Sequence, residues 1–76
     1  MKPNEAYIAA YQEAEGWRAY LMVNHPTPSG CDRWMPHTST SVYQESRREA
    51  EMLLSGVFDA VPIFDPETQT YWGGFV

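Results

Sequence analysis

The sequence predicts a single α+β domain: a two-layer sandwich of two helices on a three- or four-stranded, mostly antiparallel sheet, in the order α-β-(β)-α-β-β. Three observations carry this expectation. Residues 17–24 alternate as a strand does, residues 42–55 carry apolar positions at helical spacing between start and stop signals, and two apolar runs flank a turn at 65–69. The 76 residues make one domain, 1–76. A chain of this size buries only about 60% of the surface its unfolded form exposes, so a two-domain enzyme or a doubly wound nucleotide-binding fold does not fit. With Cys31 as the one cysteine, the core must hold without an intrachain disulfide.

Residues 4–15 read as an amphipathic helix. Asn4 stands as its N-cap behind Pro3, and Glu5 lies in the first turn, where the dipole favours an acid. Tyr7, Ile8, Tyr11 and Ala14 form one stripe, and Gly16 is placed to end the helix in the left-handed conformation. In 17–24, Trp17, Ala19, Leu21 and Val23 take one face and Arg18, Tyr20, Met22 and Asn24 the other. Both faces are partly apolar, which predicts a central strand or one covered on both sides. Two prolines and a glycine make 25–30 a loop, and 31–35 is a short strand ended or edged by Pro36.

In the second helix, Ser41 and Gln44 form a capping box. Val42, Ser46, Ala50, Leu53 and Val57 trace its apolar face, widened by Tyr43 and Leu54, and Gly56 with Val57 closes it in a Schellman motif. Strands at 58–64 and 70–76 then pair through a hairpin with Asp65 and Pro66 at the first two turn positions. Pro62 cannot donate to a ladder, which predicts an edge or one-sided strand, and Gly73 and Gly74 predict a bulge or a close backbone approach.

The net charge of −5 is unevenly placed. Acids and bases balance over residues 1–48, whereas 49–76 hold Glu49, Glu51, Asp59, Asp65 and Glu67 without a base. A phosphate backbone demands a basic face, so direct nucleic-acid binding is not expected, while a basic protein suits this charge. Solubility alone would also favour such a charge. The longest apolar run, 6–11, is far short of a membrane span, and the N-terminus lacks a secretory signal's pattern, so a cytoplasmic protein is expected.

His25, Cys31, Asp32 and His37 are all metal-ligating types within thirteen residues, yet their spacing matches none of the paired spacings of structural zinc sites. Cys31 beside either histidine, or Ser29, Ser39 or Ser41, would need a rigid base and an oxyanion donor that a Pro-rich loop does not offer. Glu49 and Glu51 are two apart and do not face each other on a helix. The expectation is a protein that is not an enzyme and carries no cofactor or metal.

The eleven aromatics exceed what so small a core can hide, so some face solvent or a partner. Tyr71 and Trp72 are adjacent in a strand and point to opposite faces, one inward and one outward; Tyr20 and Trp34 are similar candidates. In the second helix Arg47 and Arg48 precede Glu49 and Glu51, the reverse of what the macrodipole favours. This inversion meets the base-free segment, and together they predict a partner-binding surface of Glu49, Glu51, Asp59, Asp65 and Glu67 with Tyr71 and Trp72.

A short acidic domain, a helix at 42–55 beside a hairpin, and a base-free segment from Glu49 onward resemble the organisation of small phage-encoded inhibitors of the anti-CRISPR type. The resemblance rests on no motif and carries over no residue-level site. It implies a stoichiometric, non-enzymatic inhibitor in the host cytoplasm that blocks a basic or nucleic-acid-binding surface of a larger protein such as a CRISPR–Cas effector. Two other readings compete with it. One is a small bacterial regulatory or toxin-neutralising subunit, and the other is a metal- or thiol-dependent enzyme using the 25–37 loop.

Overall fold

The computed structural model describes residues 5–73, so the expected Asn4 cap and the role of Gly74 lie outside the described residues. The fold is α+β, with a five-stranded mixed sheet and one helix on one of its faces. The elements run β1 (Ala6–Glu13), β2 (Gly16–Asn24), β3 (Trp34–Ser39), α1 (Arg47–Ser55), β4 (Pro62–Asp65) and β5 (Thr70–Gly73). The sheet order is β3-β2-β1-β4-β5, antiparallel throughout except where β4 lies parallel to β1 at Ile8↔Ile63.

The first element departs most from expectation. Residues predicted as a helix over 4–15 form strand β1, which pairs with β2 from Ala6↔Val23 to Glu13↔Gly16 through a turn at Ala14 and Glu15. A short run such as Ala6-Tyr-Ile-Ala-Ala-Tyr11 satisfies both periods. The pleat decides: Ile8 and Ala10 face α1 while Tyr7, Ala9 and Tyr11 take the opposite face. Pairing along the whole length of β2 outweighs alanine's helix preference, which is a weak prior under tertiary contacts.

Gly16 accordingly does not end a helix. It opens β2 at φ 136°, beside the segment that returns along Trp17 through Trp17 N–H to Gln44 O (2.8 Å) and Gln44 N–H to Trp17 O (2.9 Å). A Cβ on Gly16 would lie 2.8 Å from the Gln44 carbonyl oxygen, so the turn and the close approach both require glycine. Strand β2 lies inside the sheet, between β3 and β1, with Trp17, Ala19, Leu21 and Val23 on the α1 side as the alternation predicts. Strand β3 starts at Trp34 rather than Cys31 and carries an irregularity opposite Leu21 and Met22, next to Pro36.

The helix is shorter than the 42–55 expected, because its cap is Ser46 and not Ser41. Ser46 Oγ accepts the Glu49 amide at 3.2 Å, a Ser-x-x-Glu arrangement one turn later. Ala50, Glu51 and Leu54 are therefore the buried positions, while Val42, Leu53 and Val57, assigned to the apolar face by the longer helix, are exposed. Gly56 stays right-handed at φ −65°, and Val57 is 72% exposed, so no Schellman contact forms; Phe58 packs on the core instead.

The core of Ile8, Ala10, Ala19, Leu21, Ala50, Leu54 and Ile63 sits between α1 and the sheet. Three alanines there let the helix backbone approach closely. Burying each Ile or Leu contributes about 1.5–3 kcal/mol. The β4–β5 hairpin forms where expected, but β4 begins at Pro62 rather than at 58, residues 58–61 being turn and bend; Asp65↔Thr70 closes it, with Asp65 Oδ1 accepting the Glu67 amide at 3.0 Å. Strand β4 is not an edge, since β1 and β5 flank it; Pro62 is its first residue, where the missing donor is tolerated. Gly73 has φ 77° and pairs with Pro62.

Candidate functional site

The acidic segment does not assemble into one open surface. Glu51 is 1% exposed, inside the molecule under α1. Its oxygens lie 3.9 Å from Arg47 Nε and 3.8 Å from Arg48 Nε, with no hydrogen-bond donor. Burial holds its carboxyl above the ordinary glutamate range, opposed by Arg47 and Arg48 and reinforced by Asp65. Arg47 reaches Asp65 at 3.3 Å and Glu67 at 4.0 Å, so Glu51, Asp65 and Glu67 gather around one guanidinium. Glu49 and Asp59 are exposed.

Trp72 and Tyr71 separate as the pleat requires. Trp72 packs toward the core on the α1 side, and the Arg48 guanidinium sits over its ring at 4.6 Å. Tyr71 emerges on the opposite face, which is helix-free among the described residues, and it is not alone there. Tyr7 meets Trp34 at 4.9 Å between ring centroids, Tyr71 at 5.6 Å and Phe64 at 6.2 Å, and Phe64 meets Tyr71 at 5.2 Å. These rings form a stripe across the sheet from β3 through β1 to β4 and β5. All four are half-buried, and burial raises the Tyr7 hydroxyl pKa, with Tyr11 and Tyr71 adding to it.

Toward the β1–β2 turn, the same face changes character. Tyr20 and Tyr43 hydroxyls donate to the two oxygens of Glu13, the Tyr43 bond being 3.0 Å. The Tyr20 bond is the main cause that holds the Glu13 carboxyl below its ordinary range; burial opposes it, and Tyr43 and Arg18 assist. The same bonds raise the pKa of Tyr20 and Tyr43. The Arg18 guanidinium lies 4.4 Å over the Tyr43 ring. Tyr11 is 47% exposed and leans against Tyr20 at 5.9 Å, and Tyr11, Glu13, Tyr20, Met22 and Pro36 line a shallow cleft of about 320 Å³.

Alternation in 17–24 placed Tyr20 on this face, and Trp34 and Tyr71 were already candidates. Tyr7 and Tyr11 were missed because a helical reading turns them toward the core. Read as a strand, Tyr7, Ala9, Tyr11 and Glu13 share a face, which was the signal available.

His25, Cys31, Asp32 and His37 are all exposed. Asp32 accepts from Asn24 Nδ2 at 3.1 Å, and among the described residues no group of three or more His, Cys, Asp or Glu is placed to hold a metal ion. Among the described residues no helix is long and apolar enough to cross a membrane. Comparison with known protein families, with characterised proteins and with solved structures gives no match.

Proposed function

We propose that this chain is a non-enzymatic binding protein that docks its helix-free sheet face on a basic surface of a larger protein. The observation that carries this reading is the aromatic stripe of Trp34, Tyr7, Phe64 and Tyr71 on a face that no helix of the described residues covers. Helix α1 covers one face of the sheet and makes the core; the opposite face concentrates the residue types that dominate binding hot spots. The net charge of −5 selects a cationic partner and repels a phosphate backbone. Occlusion of a nucleic-acid-binding surface, as on a CRISPR–Cas effector, is the specific form that the resemblance implies.

The test is binding to a panel of basic nucleic-acid-binding proteins, CRISPR–Cas effectors among them, followed by competition with their nucleic acid. Trp34→Ala and Tyr71→Ala are expected to weaken binding about 30-fold each, as hot-spot truncations of about 2 kcal/mol do. Val57→Ser, in the exposed turn that follows the helix, should leave it unchanged. Affinity that ignores both aromatic substitutions, or that does not fall as salt rises, would sink the reading.

A further inference from the structure

We infer that the cleft lined by Tyr11, Tyr20 and Glu13 is a receptor for a single arginine side chain of the partner, a deepening that rests on the binding function proposed above. The two rings lean on each other, tilted by 54° with centroids 5.9 Å apart, and together they form part of the cleft's wall. Met22 and Pro36 extend the apolar walls, and the Glu13 carboxylate stands at one end. Ring faces carry the negative side of the aromatic quadrupole, so apolar walls of this kind favour a weakly hydrated cation over a neutral group. Glu13 is fixed by Tyr20 and Tyr43, leaving each oxygen a further lone pair for a guanidinium N–H.

The neighbouring position shows that this surface accepts such a group. Arg18, on the same face, rests its guanidinium on the Tyr43 ring at 4.4 Å; burial opposes its charge, and Tyr20 first, then Tyr43 and Glu13, stabilise it. The Tyr11–Tyr20 cleft offers a second place of the same chemistry. Arg18 repels a second cation, and Glu13, which lines the cleft, offsets it. Arginine suits the site better than lysine, because a planar guanidinium can lie on a ring while directing its edge to a carboxylate.

The experiment titrates the intact protein with N-acetylarginine methylamide, and separately with its neutral citrulline isostere, at constant ionic strength, following tyrosine ring resonances by NMR. The arginine compound is expected to shift the Tyr11 and Tyr20 rings and to bind about fivefold more tightly than the isostere. Tyr11→Leu, at a half-exposed position, should reduce the arginine affinity by a similar factor while the other resonances keep their dispersion. Glu13→Gln should reduce it as well.

Equal binding of the isostere, or shifts confined to Tyr7, Trp34 and Tyr71, would overturn the assignment. If arginine leaves Tyr11 and Tyr20 unmoved while a basic protein still binds through the Trp34–Tyr71 stripe, the cleft assignment fails and the binding function stands. If arginine binds the cleft and no basic protein binds the chain, the cleft stands and that function fails.

Discussion

Glu51 is the residue at which stability and charge conflict most directly. It occupies an apolar position of α1, 1% exposed, with two oxygens that accept no hydrogen bond and two arginines just beyond hydrogen-bond distance. Its folded pKa is raised, chiefly by burial, so the native state holds its proton to higher pH than the unfolded chain does. The sign follows: this group lowers stability as pH rises from the ordinary glutamate value through the raised one, and the loss is restored on acidification. Glu51→Gln is expected to flatten that part of the stability–pH curve and to raise stability at pH 7 by about 1 kcal/mol, the scale of one unsatisfied buried polar group. Urea unfolding from pH 4 to 7 measures it, and a variant less stable than the parent at pH 7 would contradict it. Asp65 and Glu13 act oppositely. Their pKa values are lowered, Asp65 first by the Glu67 amide and Glu13 first by the Tyr20 hydroxyl, so the stability they add is present above the ordinary carboxylate range and lost as pH falls through the depressed values. Gly16 is the corresponding backbone position. Gly16→Ala places a Cβ 2.8 Å from the Gln44 carbonyl at φ 136°, and a loss of about 2 kcal/mol or more is expected in the same assay.

At the scale of elements, the helix is defined by its cap. Two Ser-x-x-Gln/Glu patterns, at Ser41 and Ser46, lie five residues apart, and only the second is the N-cap, with its hydroxyl on the Glu49 amide. The intervening residues are held elsewhere: Gln44 pairs with Trp17, and Tyr43 bonds Glu13 and carries Arg18. Ser46→Ala should cost about 1 kcal/mol and Ser41→Ala close to nothing, by thermal or urea unfolding. Equal losses at the two positions would put the start of the helix in the wrong place. The later start also changes the meaning of the charges. Glu49 falls in the first turn, where an acid is favourable, and the misplaced charges become Arg47 and Arg48, which reach away to Asp65, Glu67 and the Trp72 ring. The charge inversion in the sequence therefore reports a network linking α1 to the β4–β5 hairpin.

At the scale of the fold, the consequence of β1 being a strand is that, among the described residues, one helix serves a five-stranded sheet. One helix covers one face. The second face keeps Tyr7, Trp34, Phe64 and Tyr71 in mutual contact, with the Tyr11–Tyr20 cleft beyond them. Tyr7 lies at the centre of the stripe, touching Trp34, Phe64 and Tyr71, so Tyr7→Ala removes the keystone of the face without entering the core beneath α1. Binding of the basic partner is expected to fall further in Tyr7→Ala than in Trp34→Ala, with circular dichroism unchanged; a smaller loss than in Trp34→Ala would show that the stripe does not act as one surface.

The sequence by itself determined the α+β class, the two faces of β2, the β4–β5 hairpin and the opposite directions of Tyr71 and Trp72. Each of these follows from a local rule: pleat alternation, turn chemistry, or the geometry of adjacent residues. It also placed the excess acid in the last 28 residues. Tertiary structure decided what local rules leave degenerate. A six-residue apolar run fits helix and strand alike, and only the partner β2 makes it β1. Two capping patterns compete, and only the docking of Gln44 on Trp17 selects Ser46. A count of charges cannot tell that Arg47 would fold back among the acids, nor that Glu51 would be inside. Surfaces come from residues far apart in the chain, so the aromatic face existed only once the strand order β3-β2-β1-β4-β5 brought rings of β3, β1, β4 and β5 onto one side of the sheet.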